Sequence, residues 1–134
     1  GSVVAVKEVP DEAVSSLGIV DREPIDSRVS RVVGMVEKPS VEEAPSNLAI
    51  VGRYVLTPDV FDLIEGGRPG ALSEIQLTDA IAGLLTTQDV YAYHFPGAHF
   101  DVGTPLGLLK ASIHAALQQD AASAELRDWL DRLE

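Results

Sequence analysis

The chain has no cysteine, which excludes disulfides and thiolate metal or redox centres and fits a reducing compartment. Basic residues are scarce, ten against twenty-one acidic ones, for a formal net charge of −11. No Lys/Arg cluster tracks along the sequence, so nucleic acid is not an expected partner. The same acidic excess repels a polyphosphate, and any phosphate chemistry needs a metal ion or local cations. No apolar run approaches the length of a membrane span, and no signal-peptide pattern opens the chain. The expectation is a cytoplasmic protein with no membrane partner.

What is present is 134 residues with 46% hydrophobic content, enough for one folded domain with a sizeable core. Gly1-Ser2 precedes Val3, which starts directly in a strand, so the chain reads as cut from a longer one. Val3 to Val6 is short, apolar and β-branched, as a buried strand is. Asp11 to Leu17 holds a helical turn, and Gly18-Ile19-Val20 resumes extended structure. Asp21 to Ser27, with Pro24, reads as a loop leading into a strand from Val29, in a hairpin arrangement. Ser40 to Ser46 is a solvated loop, and Ala49 to Leu56 is the next strand.

Thr57-Pro58-Asp59 predicts a helix start, with threonine as cap and proline in the first position, and the helix runs to Glu65. Gly66 to Gly70 lacks the strand and the ending of a phosphate-binding loop and reads as a connector. Ser73-Glu74-Ile75-Gln76 fits a capping box, followed by a stripe of Leu77, Ile81, Leu84 and Leu85. Asp79 reads as a solvated acid. Val90 to Phe95 is a strand. Thr104-Pro105 starts a long helix whose buried face is expected at Leu106, Leu109, Ile113 and Leu117. A last helix carries Leu126, Trp129, Leu130 and Leu133 on one stripe, to dock on its own domain or on a neighbouring chain. These elements make an α/β chain with a mixed sheet flanked by helices.

The chemistry concentrates at Glu37-Lys38-Pro39. Alternation from Val29 places Arg31, Val33, Met35 and Glu37 on one face and Ser30, Val32, Gly34, Val36 and Lys38 on the other. Pro39 removes a backbone donor and pushes Lys38 toward extended geometry. In open α/β sheets ligands bind beyond the carboxyl ends of strands, where a carboxylate for hydroxyls beside an ammonium for phosphate suits a sugar phosphate. One regular strand aims the two side chains apart, so sharing a ligand requires the strand to twist or break at Pro39. A solvated acid and base at a strand end is the competing reading. Gly18 sits either where a backbone approaches a ligand or in a plain turn. Asp101, just ahead of Gly103, is placed either to hold Mg²⁺ or to stabilise a turn. His94, His99 and Asp101 make a weak metal set. His114 reads as a surface or packing residue, and no serine or threonine has the partners of a hydrolytic nucleophile.

Several runs resemble, in order, the carboxyl-terminal half of the sugar-phosphate nucleotidyltransferase family: Val9-Pro10-Asp11-Glu12, Gly18-Ile19-Val20, Val36 to Pro39, Ala44 to Tyr54, Glu74 to Ile81 and Phe100 to Thr104. The Asn47 to Tyr54 and Glu74 to Ile81 runs are the specific ones and favour the uridylyl branch. The resemblance implies a Rossmann-like nucleotidyltransferase fold and Mg²⁺-dependent transfer from UTP to glucose 1-phosphate, giving UDP-glucose and pyrophosphate. It implies that the Gly18 backbone and Glu37 hold sugar hydroxyls, that Lys38 acts catalytically by pairing with the sugar's phosphate, that Ile50 and Tyr54 line the sugar pocket, and that Asp101 ligates magnesium.

The family's amino-terminal glycine-rich nucleotide loop and its earlier metal-sharing aspartate have no counterpart in this sequence. The whole chain, 1–134, is therefore expected to be a single acceptor-side portion, inactive alone. A bare sheet edge left by the missing partner strands is expected to favour homo-oligomers. The alternative is a non-catalytic module that binds a sugar phosphate or drives assembly.

Overall fold

β-Branched residues fill the first strand, β1 (Ser2–Glu8), and its burial alternates, with Val4 and Val6 inside. A four-residue helix, α1 (Asp11–Val14), leads to β2 (Gly18–Pro24), β3 (Val29–Glu37) and β4 (Leu48–Val55). Helices α2 (Asp59–Glu65) and α3 (Leu77–Leu84) precede β5 (Val90–His94), and α4 (Pro105–Leu117) and α5 (Asp120–Leu130) end the chain. The computed structural model describes residues 1–66 and 76–133. The chain divides into two compact units, Gly1–Pro96 and Gly97–Glu134.

In the first unit the strands pair in the order β1-β4-β2-β3-β5 and close into a barrel. β1 runs antiparallel to β4 and parallel to β5, so the sheet is mixed as expected. Closure corrects one expectation: β5 pairs with both β1 and β3, so no strand of this sheet is left as a free outer edge to drive association. The seam between β2 and β4 is narrow, a single pairing of Ile19 with Ala49. Ser46 reinforces it, its hydroxyl donating to the Val20 carbonyl at 2.6 Å and accepting from the Leu48 amide at 3.0 Å.

The main core joins Val4, Val6, Val20, Val32, Leu48 and Ile50 of the barrel to Val60 of α2 and to Ala80, Ile81 and Leu84 of α3. Each large aliphatic side chain buried here contributes roughly 1.5–3 kcal/mol. The helical stripe is therefore borne out at Ile81 and Leu84, whereas Leu77 is exposed. A second cluster of Val14, Ile19 and Ala49 packs α1 on the other side of the β2–β4 seam. β2 extends through Arg22 to Pro24, where the sequence suggested a loop, because these residues pair with β3 as far as Ser30.

Thr57 does not cap α2. Its hydroxyl donates to Asp59 and accepts from the Gln88 amide, so its lone pairs serve a side-chain network in place of the helix amides. Thr104 does cap α4, accepting from the Gly107 amide at 3.1 Å. The proposed capping residues Ser73, Glu74 and Ile75, and the connector beyond Gly66, lie outside the described residues.

In the second unit α4 packs against α5. The burial expected of the α4 stripe is overturned at Leu106, Leu109 and Leu117, which are exposed, while Ile113 is half-buried. On α5, Leu126 is half-buried and Trp129, Leu130 and Leu133 are exposed, and neither helix has a fully buried residue. Two short helices cover only the stripe they share. His114 packs beside the Phe100 ring, centroids 5.1 Å apart, in keeping with a packing role.

Candidate functional site: the open end of the β2–β3 hairpin

Two backbone irregularities bring Glu37 and Lys38 together. Pairing runs from Gly18–Glu37 to Asp21–Gly34 and resumes at Arg22–Val32, leaving Val33 as an extra residue. This β-bulge reverses the alternation. Ser30 and Val32 are buried before it and Met35 packs on the core after it, while Val33 and Val36 are exposed. The expected face assignment thus holds only as far as the bulge. Beyond it, Glu37 shares the inward side with Met35, and its side chain is 21% exposed.

The second irregularity is Lys38 itself, with φ +47°. The sequence suggested an extended Lys38 and a break at Pro39; the break comes one residue earlier. The Lys38 amide donates to the Leu17 carbonyl at 3.0 Å, tying the end of β3 to the α1–β2 turn at the open end of the hairpin. That tie offsets the left-handed conformation, which costs a non-glycine residue about 1–2 kcal/mol. The reversal swings Lys38 round, and its Nζ lies 4.0 Å from Glu37 Oε1. A pair this exposed contributes little to stability, so its interest is as a cation beside an acceptor.

Gly18 faces Glu37 across the hairpin. A Cβ there would lie 3.0 Å from Glu37 Oε2 and 3.1 Å from Thr78 Oγ1, closer than either tolerates without shifting. Gly18 is therefore not a plain turn glycine: it opens β2, and the groups its missing Cβ makes room for are the chain's own Glu37 and Thr78. Tyr54 belongs to the same neighbourhood: burial pushes its phenol pKa up from 10.0, and the Glu37 charge adds to the rise. It lies past an irregularity in the β1–β4 register, where Val6 faces Ile50 but Val4 faces Tyr54 and Gly52 has φ +69°. Ile50 is 7% exposed and packs in the main core, so it backs the site from inside.

Thr78, in the first turn of α3, escaped the sequence reading. Its hydroxyl donates to Glu37 Oε2 at 2.7 Å across 41 residues of sequence. Only its place inside the Glu74 to Ile81 run hinted at it. Asp79 beside it is exposed, as expected.

Asp101 belongs to the second unit. Its Oδ1 accepts from the Gly103 amide at 2.9 Å, the turn role foreseen for it, and leaves the second oxygen available. A Cβ on Gly107 would land on the Asp101 carbonyl, so the start of α4 holds this backbone closely. Among the described residues no three His, Cys, Asp or Glu side chains gather as a metal site. An exposed carboxylate with one free oxygen does fit Mg²⁺, which typically takes one or two carboxylates together with substrate phosphates and water. No described helix is long and apolar enough to cross a membrane.

Comparison with known proteins gives a consistent picture. A family model described as Nucleotidyl transferase matches residues 1–118. Two curated relatives named UTP--glucose-1-phosphate uridylyltransferase are each 44% identical. The one from Staphylococcus epidermidis aligns over 133 residues, 99% of this chain and 46% of the relative. The one from Streptococcus pyogenes aligns over 135 residues, 98% and 44% respectively. Among solved structures, the UTP-bound UGPase from Acinetobacter baumannii is 42% identical, with a TM-score of 0.85 over 100% of this chain and 46% of that one. A UDP-glucose pyrophosphorylase complexed with UDP-glucose is 41% identical, with a TM-score of 0.81 over 88% and 45%. The chain spans less than half the length of the curated relatives it matches.

Proposed function

The chain belongs to the nucleotidyl transferase family, and on that premise we propose that it supplies the sugar-phosphate side of uridylyl transfer from UTP to glucose 1-phosphate. In that reaction a phosphate oxygen of glucose 1-phosphate attacks the α-phosphorus of UTP. A new P–O bond forms as the bond to the bridging oxygen breaks, and pyrophosphate leaves with the electron pair. Little covalent work falls to the protein; positioning and charge neutralisation carry the rate. The relatives' names support the choice of substrates.

One observation carries the assignment to this end of the barrel: the reversal at Lys38 sets an ammonium beside the Glu37 carboxylate, at the open end of the hairpin where Gly18 presents no side chain. Lys38 neutralises the phosphate of the sugar and holds its nucleophilic oxygen in place. Glu37 accepts hydrogen bonds from sugar hydroxyls, and the Gly18 backbone lies close enough to join it. Tyr54 forms a partly desolvated wall, and Ile50 stiffens that wall from the core. Asp101 would hold Mg²⁺, which when bound neutralises phosphate charge. A cytoplasmic setting agrees with the absence of cysteine.

Titration calorimetry of this chain with glucose 1-phosphate tests the reading. Lys38→Ala should remove about 1.5–3 kcal/mol, the loss expected of a charge-assisted contact, or roughly tenfold to a hundredfold in affinity. Equal binding by both proteins would take Lys38 out of the site.

A second reading, a non-catalytic assembly module, is favoured by the apolar side chains on α4 and α5, with Leu106 at 59% and Trp129 at 56% exposure. The same side chains support the proposal of a homo-oligomer, now from the helices instead of the sheet.

A further inference from the structure

Glu37 has two oxygens, and the fold treats them differently. Oε2 receives the Thr78 hydroxyl at 2.7 Å and lies against Gly18, whose missing side chain makes room for that contact. Oε1 faces the other way, 4.0 Å from Lys38 Nζ. Thr78 in turn is held by α3, whose Ala80, Ile81 and Leu84 are anchored in the main core. The carboxylate is therefore clamped from the core side and open on the side of the cation.

We propose that Thr78 is a positioning residue for sugar recognition: its hydroxyl fixes the rotation of the Glu37 carboxylate so that Oε1 alone is presented to a hydroxyl of the hexose. The inference deepens the proposed function and rests on it. A free carboxylate on a strand end rotates and offers either oxygen to water or to the neighbouring ammonium. A hydroxyl donating to one oxygen leaves the other with its lone pairs directed outward, where a single sugar hydroxyl at the correct height meets them. The arrangement discriminates hexoses by the position of that hydroxyl, because a fixed acceptor that the bound ligand desolvates disfavours a ligand that leaves it unpaired. Thr78 does not touch the phosphate side in this scheme, which separates its effect from that of Lys38.

The test uses this chain and two ligands, glucose 1-phosphate and inorganic phosphate, measured by calorimetry alongside thermal melting. Thr78→Val keeps the shape and removes the donor. It should weaken glucose 1-phosphate about tenfold while leaving inorganic phosphate unchanged, whereas Thr78→Ser, which keeps the hydroxyl, should bind both as the parent does. In a Glu37→Gln background the valine substitution should add little further loss, since both changes remove one unit. Should the valine variant fail to fold, Thr78→Ala is read with the same ligands. Undiminished glucose 1-phosphate binding by the donor-less variant, with the parent binding normally, overturns the positioning role and leaves the proposed function standing. Parallel loss of both ligands makes Thr78 merely structural and overturns it too. A parent that binds inorganic phosphate but gains nothing from the sugar overturns the proposed function and this inference together.

Discussion

At the scale of single residues, the Tyr54 phenol reports on Glu37. Its pKa is raised above 10.0 first by burial and second by the neighbouring carboxylate. Glu37→Gln removes the second cause and leaves the first, so the Tyr54 titration, followed by its own ring resonance in NMR, should move down yet stay above 10.0. A titration that does not move would separate the two side chains and with them the site. Glu37, Lys38 and Pro39 were legible as charges at a strand exit because three adjacent residues carry the signal. Thr78 was not, because a threonine in the first turn of a helix looks ordinary until the fold sets it beside a residue far away in sequence. Gly18 was ambiguous for the same reason: a turn glycine and one that lets a ligand approach the backbone read alike, and neither reading showed the Glu37 carboxylate it makes room for.

At the scale of elements, the β2–β3 hairpin is closed by Asp26. Its Oδ1 accepts from the amides of Arg28 at 2.7 Å and Val29 at 2.8 Å. These backbone bonds, Arg28 first, hold the carboxyl below its ordinary 3.8. A lowered carboxyl pKa adds stability that is present above 3.8 and fades as pH falls through the folded value. Protection of the Arg28 and Val29 amides, measured against the intrinsic exchange rate at each pH, should therefore fall on acidification below about pH 4, and Asp26→Asn should flatten that dependence. An exchange profile identical in parent and variant would show that the carboxylate does not close the turn. Two Thr-Pro starts looked equivalent in sequence, yet only Thr104 caps. Thr57 is diverted by Gln88, a partner 31 residues away that no local pattern reveals. The extent of β2 was misread because Pro24 signals a turn, whereas at the end of a strand it takes its place in the pairing.

At the scale of the whole molecule, strand order and closure decide what periodicity cannot. Alternation located nearly every strand, but only the pairing of β5 with both β1 and β3 removes the free edge. The buried face expected of α4 fails at the same scale, since a stripe at helical spacing states that a partner is wanted and not that one is present. Light scattering after size exclusion should find a concentration-dependent oligomer, and Leu106→Glu with Leu109→Glu should return it to a monomer. A monomeric parent at high concentration would remove that proposal. On the proposed function, the 134 residues alone should release no pyrophosphate from UTP and glucose 1-phosphate in a coupled phosphate assay; measurable release would relocate the whole reaction into this chain.

The extra residue at Val33 makes the parity of β3 matter more than its composition. Between Val32 and Glu37 the pleat has been advanced by one, so inner and outer positions beyond that point depend on a residue count. Removing Val33 alone would leave Val32 opposite Arg22 and Glu37 opposite Gly18, an even number of steps apart, and so keep Glu37 inward on a straighter strand, whereas removing a second residue between them would break that parity and turn the acid outward. This nine-residue strand thus tolerates the loss of one residue at the bulge, and only a second loss is as consequential as substitution of the acid itself.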